Sequence, residues 1–307
     1  MVPLEERIEE AFTMYGSTIE LLKEFIASRR NPQEFILLAC ARLDSLSNLA
    51  FTGKPQKDCF VSFLARHSGL KRNAYQISLP DLCDFLCYHL WVLPGTIDKP
   101  GRLHMFDPRE DERFMSFLWN SGLAITQEEV GRLLMFLIRA IKKKYRVFPT
   151  QSKQKQSSDK PDNLYNYLYN AAQQYRRGIY LDAIKGISSL LKDFSFGALL
   201  YRKYRNGIIH EFGVGIHEQD FFTKNAIHWR TTYHTYVEPT KFLQIQFPAR
   251  FLLEILTHSV QSYIRELKNT RLLPMAVFNE TCDFLEEIKH LDDRSIPVGK
   301  DISILLR

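Results

Sequence analysis

An arginine, an amide and a histidine fall within six residues at Arg205-Asn206-Gly207-Ile208-Ile209-His210. Arginine keeps its charge at any physiological pH and can fork two N–H donors onto a phosphate. Histidine can take or give a proton near neutrality. A proton shuttle beside a clamp for developing charge is the minimum chemistry for breaking a phosphodiester. Leu199-Leu200-Tyr201-Arg202-Lys203-Tyr204 leads into this stretch, and Glu211-Phe212-Gly213-Val214-Gly215 leads out of it into a glycine-broken loop. A purely structural reading competes: Arg205 as a surface arginine at a helix end and His210 as a hydrogen-bonded, half-buried histidine.

Spacing bears on the choice. Five residues of an ideal α-helix turn through about 140°, so Arg205 and His210 share no face of a straight helix. Gly207 can bend the turn between them. Alternatively, two chains converge and each supplies one Arg–His pair to a common cleft.

The pattern Arg-Asn-x-x-x-His, preceded by an apolar, aromatic and basic helix and followed by Glu211, resembles the signature of the HEPN superfamily. These are all-helical domains found in many prokaryotic toxins and defence nucleases. The resemblance is strongest over roughly 160–270. It implies that Arg205 and His210 match the family's catalytic pair, with Asn206 at the polar position beside the arginine. It also implies a homodimer with a composite site. A second stretch, Phe35-Ile36-Leu37-Leu38-Ala39-Cys40-Ala41-Arg42-Leu43-Asp44-Ser45-Leu46, is similar to the early helix that carries an acidic residue in such domains. Residues 52–125 depart from a minimal domain and read as an insertion or elaboration.

The implied activity is a metal-independent endoribonuclease, acting as a toxin or antiviral-defence effector with an antitoxin or defence-system partner. RNA carries its own nucleophile, the 2′-hydroxyl. Such an enzyme needs deprotonation, leaving-group protonation and charge stabilisation, and no cofactor. His210 would be the general base or acid, Arg205 would hold the scissile phosphate, and Asn206 would orient substrate or histidine. The products would be a 2′,3′-cyclic phosphate and a 5′-hydroxyl. The rival reading is a non-catalytic helical module that binds RNA or a partner protein through the same surface.

Charge is distributed to suit a polyanion. The net charge is +6 over 307 residues. Between 142 and 177 lie Lys142, Lys143, Lys144, Arg146, Lys153, Lys155, Lys160, Arg176 and Arg177, against Asp159 and Asp162 alone. Arg202 and Lys203 extend the field beside Arg205. A basic field next to an Arg–His pair fits RNA phosphates, which makes Lys142, Lys143, Lys144, Arg176, Arg177, Arg202 and Lys203 the candidate substrate-binding residues. A solvated linker would look similar. Tyr165, Tyr167, Tyr169, Tyr175 and Tyr180 sit beside the basic segment, where packing between helices is favoured over stacking on bases.

Other constellations are weaker. Cys83-x-x-x-Cys87-x-His89 places two thiols on one helical face, surrounded by Leu82, Phe85, Leu86 and Leu90, which fits core packing better than zinc. His217, His228 and His234 match no metal-site spacing, and Gly213-x-Gly215 lacks the lysine and the strand of a phosphate loop. No metal site is expected. Five cysteines, odd in number and mostly in apolar surroundings, suit reduced thiols in the cytoplasm rather than a disulfide framework. No run approaches 18 uninterrupted apolar residues, so no membrane span is expected.

Apolar residues recur at helical spacing nearly everywhere. Helices are expected at about 4–29, 32–51, 58–68, 79–92, 109–119, 126–146, 163–176, 179–192, 195–211, 249–268 and 274–290. Residues 227–237 and 241–247 suit a small β-hairpin turned through Glu238-Pro239-Thr240. The expected fold is mainly α, a HEPN-like helical bundle with an additional helical N-terminal region. The expected organisation is a helical region at 1–148, a polar basic linker at 149–162 and the HEPN-like domain at 163–307.

Overall fold

Asn31-Pro32 shows how sequence sets a helix start here. Asn31 takes a left-handed conformation, φ 52°, which asparagine tolerates better than most residues. Its side-chain oxygen accepts from the Glu34 amide at 3.4 Å, and its Nδ2 donates to Glu34 Oε2 at 2.7 Å. Proline at the first helical position gives up no bond that the helix needs.

A computed structural model describes residues 3–51, 55–92, 117, 127–145, 158–174, 178–206, 218–233 and 241–271. In chain order the α-helices are α1 (Leu4–Ser28), α2 (Pro32–Ala50), α3 (Gln56–His67), α4 (Leu79–Val92), α5 (Gln127–Tyr145), α6 (Pro161–Gln174), α7 (Gly178–Lys185), α8 (Ile187–Asp193), α9 (Phe196–Leu200), α10 (Glu218–Thr223) and α11 (Ala249–Thr270). A 3₁₀ turn spans Lys71–Tyr75 and a π-helical turn spans Tyr201–Asn206. The strands are β1 (Ile77–Ser78), β2 (Ser158–Asp159), β3 (His228–Tyr233) and β4 (Lys241–Gln246), forming two antiparallel pairs, β1–β2 and β3–β4. The fold is mainly α.

Most expected helices stand within a few residues of their predicted ends. The helix expected at 179–192 is divided at Gly186 into α7 and α8. The one expected from 195 is α-helical only to Leu200 and then widens into the π turn. The hairpin strands pair as expected, though their connection lies outside the described residues. So do the helices expected at 109–119, apart from Phe117, and at 274–290. The short β1–β2 pair, with Ile77 opposite Asp159, was not anticipated. Two-residue strands carry no periodicity to read.

Contacts gather into two compact units, neither of them a continuous stretch. Unit 1 comprises Met1–Tyr75, Phe196–His228 and Gln246–Arg307; unit 2 comprises Gln76–Ser195 and Trp229–Ile245. This divides the chain differently from a single cut at 149–162. A polar stretch reports local exposure, not which distant helices pack together.

In unit 1, α11 packs on α1, α2 and α3. Helix α1 buries Ile8, Phe12, Tyr15, Ile19 and Leu22, and α11 buries Phe251, Leu252, Ile255, Leu256, Val260, Tyr263 and Leu267. Each such side chain contributes about 1.5–3 kcal/mol when fully buried. Arg66 of α3 donates twice to Glu266 of α11, Nη2 to Oε1 at 2.6 Å and Nε to Oε2 at 3.2 Å. His67 follows, 1% exposed, with Nδ1 3.3 Å from Ser262 Oγ and Nε2 3.6 Å from Glu266 Oε2. Burial above all, and then the Arg66 charge, lowers its pKa to about 3. The ring is therefore neutral, and its contact with Glu266 is not an ion pair.

In unit 2, α4 packs on α5, and α6 packs on α5, α7 and α8. Ser78 precedes α4 and donates to Asp81 Oδ2 in the first turn. That same oxygen accepts the Ile245 amide at 3.1 Å, and Ser78 Oγ accepts Trp229 Nε1 at 2.8 Å. One helix start thus anchors both strands of the β3–β4 pair.

Candidate functional site

The segment carrying Arg205 is buried before it is polar. Phe196, Gly197, Ala198, Leu199 and Leu200 are all buried in α9. At Gly197 the backbone runs so close to α3 that an added Cβ would meet a Val61 methyl at 3.1 Å and the Ala74 carbonyl at 3.3 Å. Tyr201 and Tyr204 continue the buried face. The Tyr204 hydroxyl accepts the Phe247 amide at 2.9 Å, and the two rings meet edge-on at 5.4 Å. Tyr201 packs on Phe60 at 5.3 Å. With both tyrosines fixed, the backbone between them widens into a π turn. Such turns concentrate at functional sites.

Arg205 lies in this π turn and faces Asp44 of α2, 161 residues earlier. Its Nη2 and Nε donate to Asp44 Oδ2 at 3.2 and 3.4 Å. The guanidinium stands 5.1 Å from the centre of the Tyr201 ring, and cation and ring attract at that distance. Arg205 and Asp44 side chains are only 16% and 14% exposed. A pair this far from water is far less screened than a surface pair. Gln56, at the start of α3, donates to the same Asp44 oxygen at 2.9 Å. Asp44 Oδ2 therefore takes three N–H donors, whereas buried Oδ1 has no hydrogen-bond partner among the described residues. A carboxylate so loaded on one oxygen retains a strong acceptor on the other.

Neighbouring groups feel this pair. The Cys40 thiol, one helical turn before Asp44, is pushed up to about 12 by burial first and then by the Asp44 charge, with Arg205 pulling back. It is a packed thiol rather than a nucleophile. Burial likewise raises the Tyr201 hydroxyl, with Arg205 opposing.

Of the other candidates, Arg202 and Lys203 are half-buried in the same π turn. Asn206 ends that turn, and its side chain lies outside the described residues, as do His210, Gly207, Arg176 and Arg177. Lys142, half-buried, and Lys143 and Lys144, both exposed, end α5 in unit 2. Cys83 and His89 are buried in α4; His89 packs on Phe85 at 4.4 Å and on Tyr88 at 5.5 Å. His228 Nδ1 lies 3.3 Å from the Ala226 carbonyl, and burial lowers its pKa. His217 and His234 lie outside the described residues. Among the described residues no group of three or more His, Cys, Asp or Glu is placed to hold a metal ion. No described helix is long and apolar enough to cross a membrane.

Tyr201 and Gln56 were not picked out by sequence. Tyr201 had a usable signal, an aromatic four residues before an arginine on a helix. Gln56 had none. No protein-family model matches the chain, and neither a curated protein nor a solved structure matches it.

Proposed function

We propose that this chain is a metal-independent endoribonuclease, with Arg205 as the phosphate clamp and His210 as the proton shuttle. The observation that carries the reading is the Asp44–Arg205 pair. The arginine of the motif is oriented by an acidic residue of the early helix, which itself retains an unused acceptor oxygen. A fork fixed on one edge by a carboxylate is preorganised for an oxyanion, because its rotamer cost is met before substrate arrives. In the ribonuclease, Arg205 binds the scissile phosphate and stabilises the charge that builds on it. His210 removes the 2′-hydroxyl proton or protonates the 5′-oxygen leaving group. Asn206 orients substrate or histidine.

The π turn ends at Asn206, and residues 207–210, which set the separation of Arg205 from His210, lie outside the described residues. Among the described residues, the motif helices expose no large apolar side chain. The exposed large apolar side chains among the described residues are Met14, Leu21, Leu37 and Met135, none of them within 163–206.

The test is incubation of purified protein with total RNA in excess chelator, followed by analysis of the cleaved ends. Ends carrying 2′,3′-cyclic phosphate and 5′-hydroxyl, lost in the Arg205→Ala variant, are the expected result. Absence of cleavage with RNA binding retained would favour the non-catalytic module, in which the mostly buried Arg205–Asp44 pair only holds α2 to the π turn. A toxin or antiviral-defence role in the cytoplasm, with a protein partner that restrains it, is the setting this activity suits.

A further inference from the structure

Helix α6 buries Leu164, Leu168 and Ala172 on one stripe. Its opposite face exposes Asn163, Asn166 and Asn170, three amides without a charge among them. At about 100° per residue, Tyr165 and Tyr169 flank this amide stripe on one side and Tyr167 on the other. All three tyrosines are half-buried rather than enclosed in the core. The Tyr165 and Tyr169 rings are nearly parallel, 15° apart in plane with centroids 6.3 Å apart.

Lysines stand on α5 and α7, two helices that pack on α6. Lys144 Nζ lies 4.6 Å from the centre of the Tyr167 ring and donates to the Asn163 carbonyl at 3.4 Å. Lys185 of α7, exposed, pairs with Asp182 at 2.8 Å. Helix α7, which carries it, packs on α6. Lys143, next to Lys144, and Lys160, directly before the helix, are exposed as well.

Each of these groups has a counterpart in single-stranded RNA. Amides pair with splayed base edges, rings stack on base faces, and ammonium groups meet phosphates. An acidic peptide would satisfy the lysines but leave the rings and amides without matching partners. We propose that the α6 face of unit 2 binds single-stranded RNA. Tyr165 and Tyr169 stack on bases, Asn166 and Asn170 contact base edges, and Lys143, Lys144 and Lys185 hold phosphates. This rests on the ribonuclease reading for the choice of polymer and adds to it a contact surface apart from the cleavage residues.

The probe is a 5′-labelled 2′-O-methyl oligouridylate, which lacks the free nucleophile and so cannot be cut by 2′-hydroxyl attack. Its binding to the full chain is followed by fluorescence anisotropy. Replacing Tyr165 and Tyr169 together by alanine should weaken binding roughly ten- to hundredfold, the loss of about one stacked base. Replacing both by phenylalanine should leave affinity intact, since the rings rather than the hydroxyls stack. Asn166→Asp with Asn170→Asp, at exposed positions the core does not use, should weaken binding by setting carboxylates against phosphates. Arg205→Ala should still bind the probe. If the alanine pair and the aspartate pair both bind like the wild type, the proposal is overturned. It is also overturned if polyglutamate displaces the probe at comparable concentration, which would mark an acidic-peptide surface. Should the wild type cut no RNA while the alanine pair still loses the probe, the ribonuclease reading fails and the binding face stands.

Discussion

Two arginine–carboxylate pairs in unit 1 differ in how completely they use their bonding capacity. Arg66 and Glu266 meet fork to fork, each carboxylate oxygen taking one donor, with neutral His67 and Ser262 beside them. Arg205 and Asp44 meet on one oxygen, which also accepts Gln56, while the second oxygen is left over. The first pair joins two regular helices, α3 and α11. The second joins α2 to a π turn. Similar chemistry is thus spent on holding the fold in one place and kept in reserve in the other. The saturated pair should matter to stability, and the unsaturated one to turnover.

The largest expected separation is in rate. Arg205→Ala and His210→Ala should each lower RNA cleavage by about 10²–10⁴ while unfolding cooperatively. Single-turnover cleavage and thermal melts of the same preparations check both halves. Arg205→Lys should fail as well, because a point ammonium cannot reproduce the forked contact. A His210→Ala variant that cleaves normally would end the catalytic assignment.

Glu266→Ala should invert the pattern. It takes the forked carboxylate from half-buried Arg66, a loss of about 1–3 kcal/mol, and should move the denaturant midpoint far more than the per-molecule cleavage rate. Equal loss of stability from Asp44→Asn and Glu266→Ala would erase the contrast between the pairs. Asp44→Asn keeps shape and one acceptor, so its expected cost is about 1 kcal/mol in stability with a larger fall in cleavage.

The saturated pair also predicts an acid response. His67 has a folded pKa lowered to about 3 from an ordinary 6.5. Below about pH 6.5 the unfolded chain takes up a proton that the folded chain refuses, so stability falls progressively as pH drops from 6.5 toward 3. His67→Gln should flatten that slope in denaturant titrations at stepped pH. An unchanged slope would show that His67 is not the group responsible.

The smallest effect is expected away from both pairs. Neutralising Lys142, Lys143 and Lys144 should weaken RNA binding evenly across sequences. It should also flatten the log–log salt dependence by up to about one unit per lost phosphate contact. An unaltered slope would leave those lysines as a solvated helix end.

How legible was this in the sequence? Helix positions were, because Ile8, Phe12, Tyr15, Ile19 and Leu22 recur at the period of a buried stripe. The cap at Asn31-Pro32 was legible as local chemistry. Arg205 stood out through its neighbours, and Asp44 lay in the stretch singled out as resembling the early acidic helix. Their meeting was not legible, since nothing local ties residues 161 positions apart. The π turn was hidden for the same reason. It follows from Tyr201 reaching Phe60 and Tyr204 reaching Phe247, which are tertiary contacts. Arg66 and Glu266 gave no sign of each other across 200 residues of chain.

The interleaving of unit 1 has a consequence in time. Its first three helices leave the ribosome early, yet α11, which packs on all of them, begins at residue 249. At about 5–20 residues per second, the wait between α1 and α11 is on the order of tens of seconds. Once Asp44 has been synthesised, Arg205 is for the rest of that interval either not yet made or without the helix that completes its unit. A nascent chain therefore holds Asp44 and Arg205 in an incomplete unit until α11 has been made. Order of synthesis alone delays the packed setting of that pair until residue 270 has emerged.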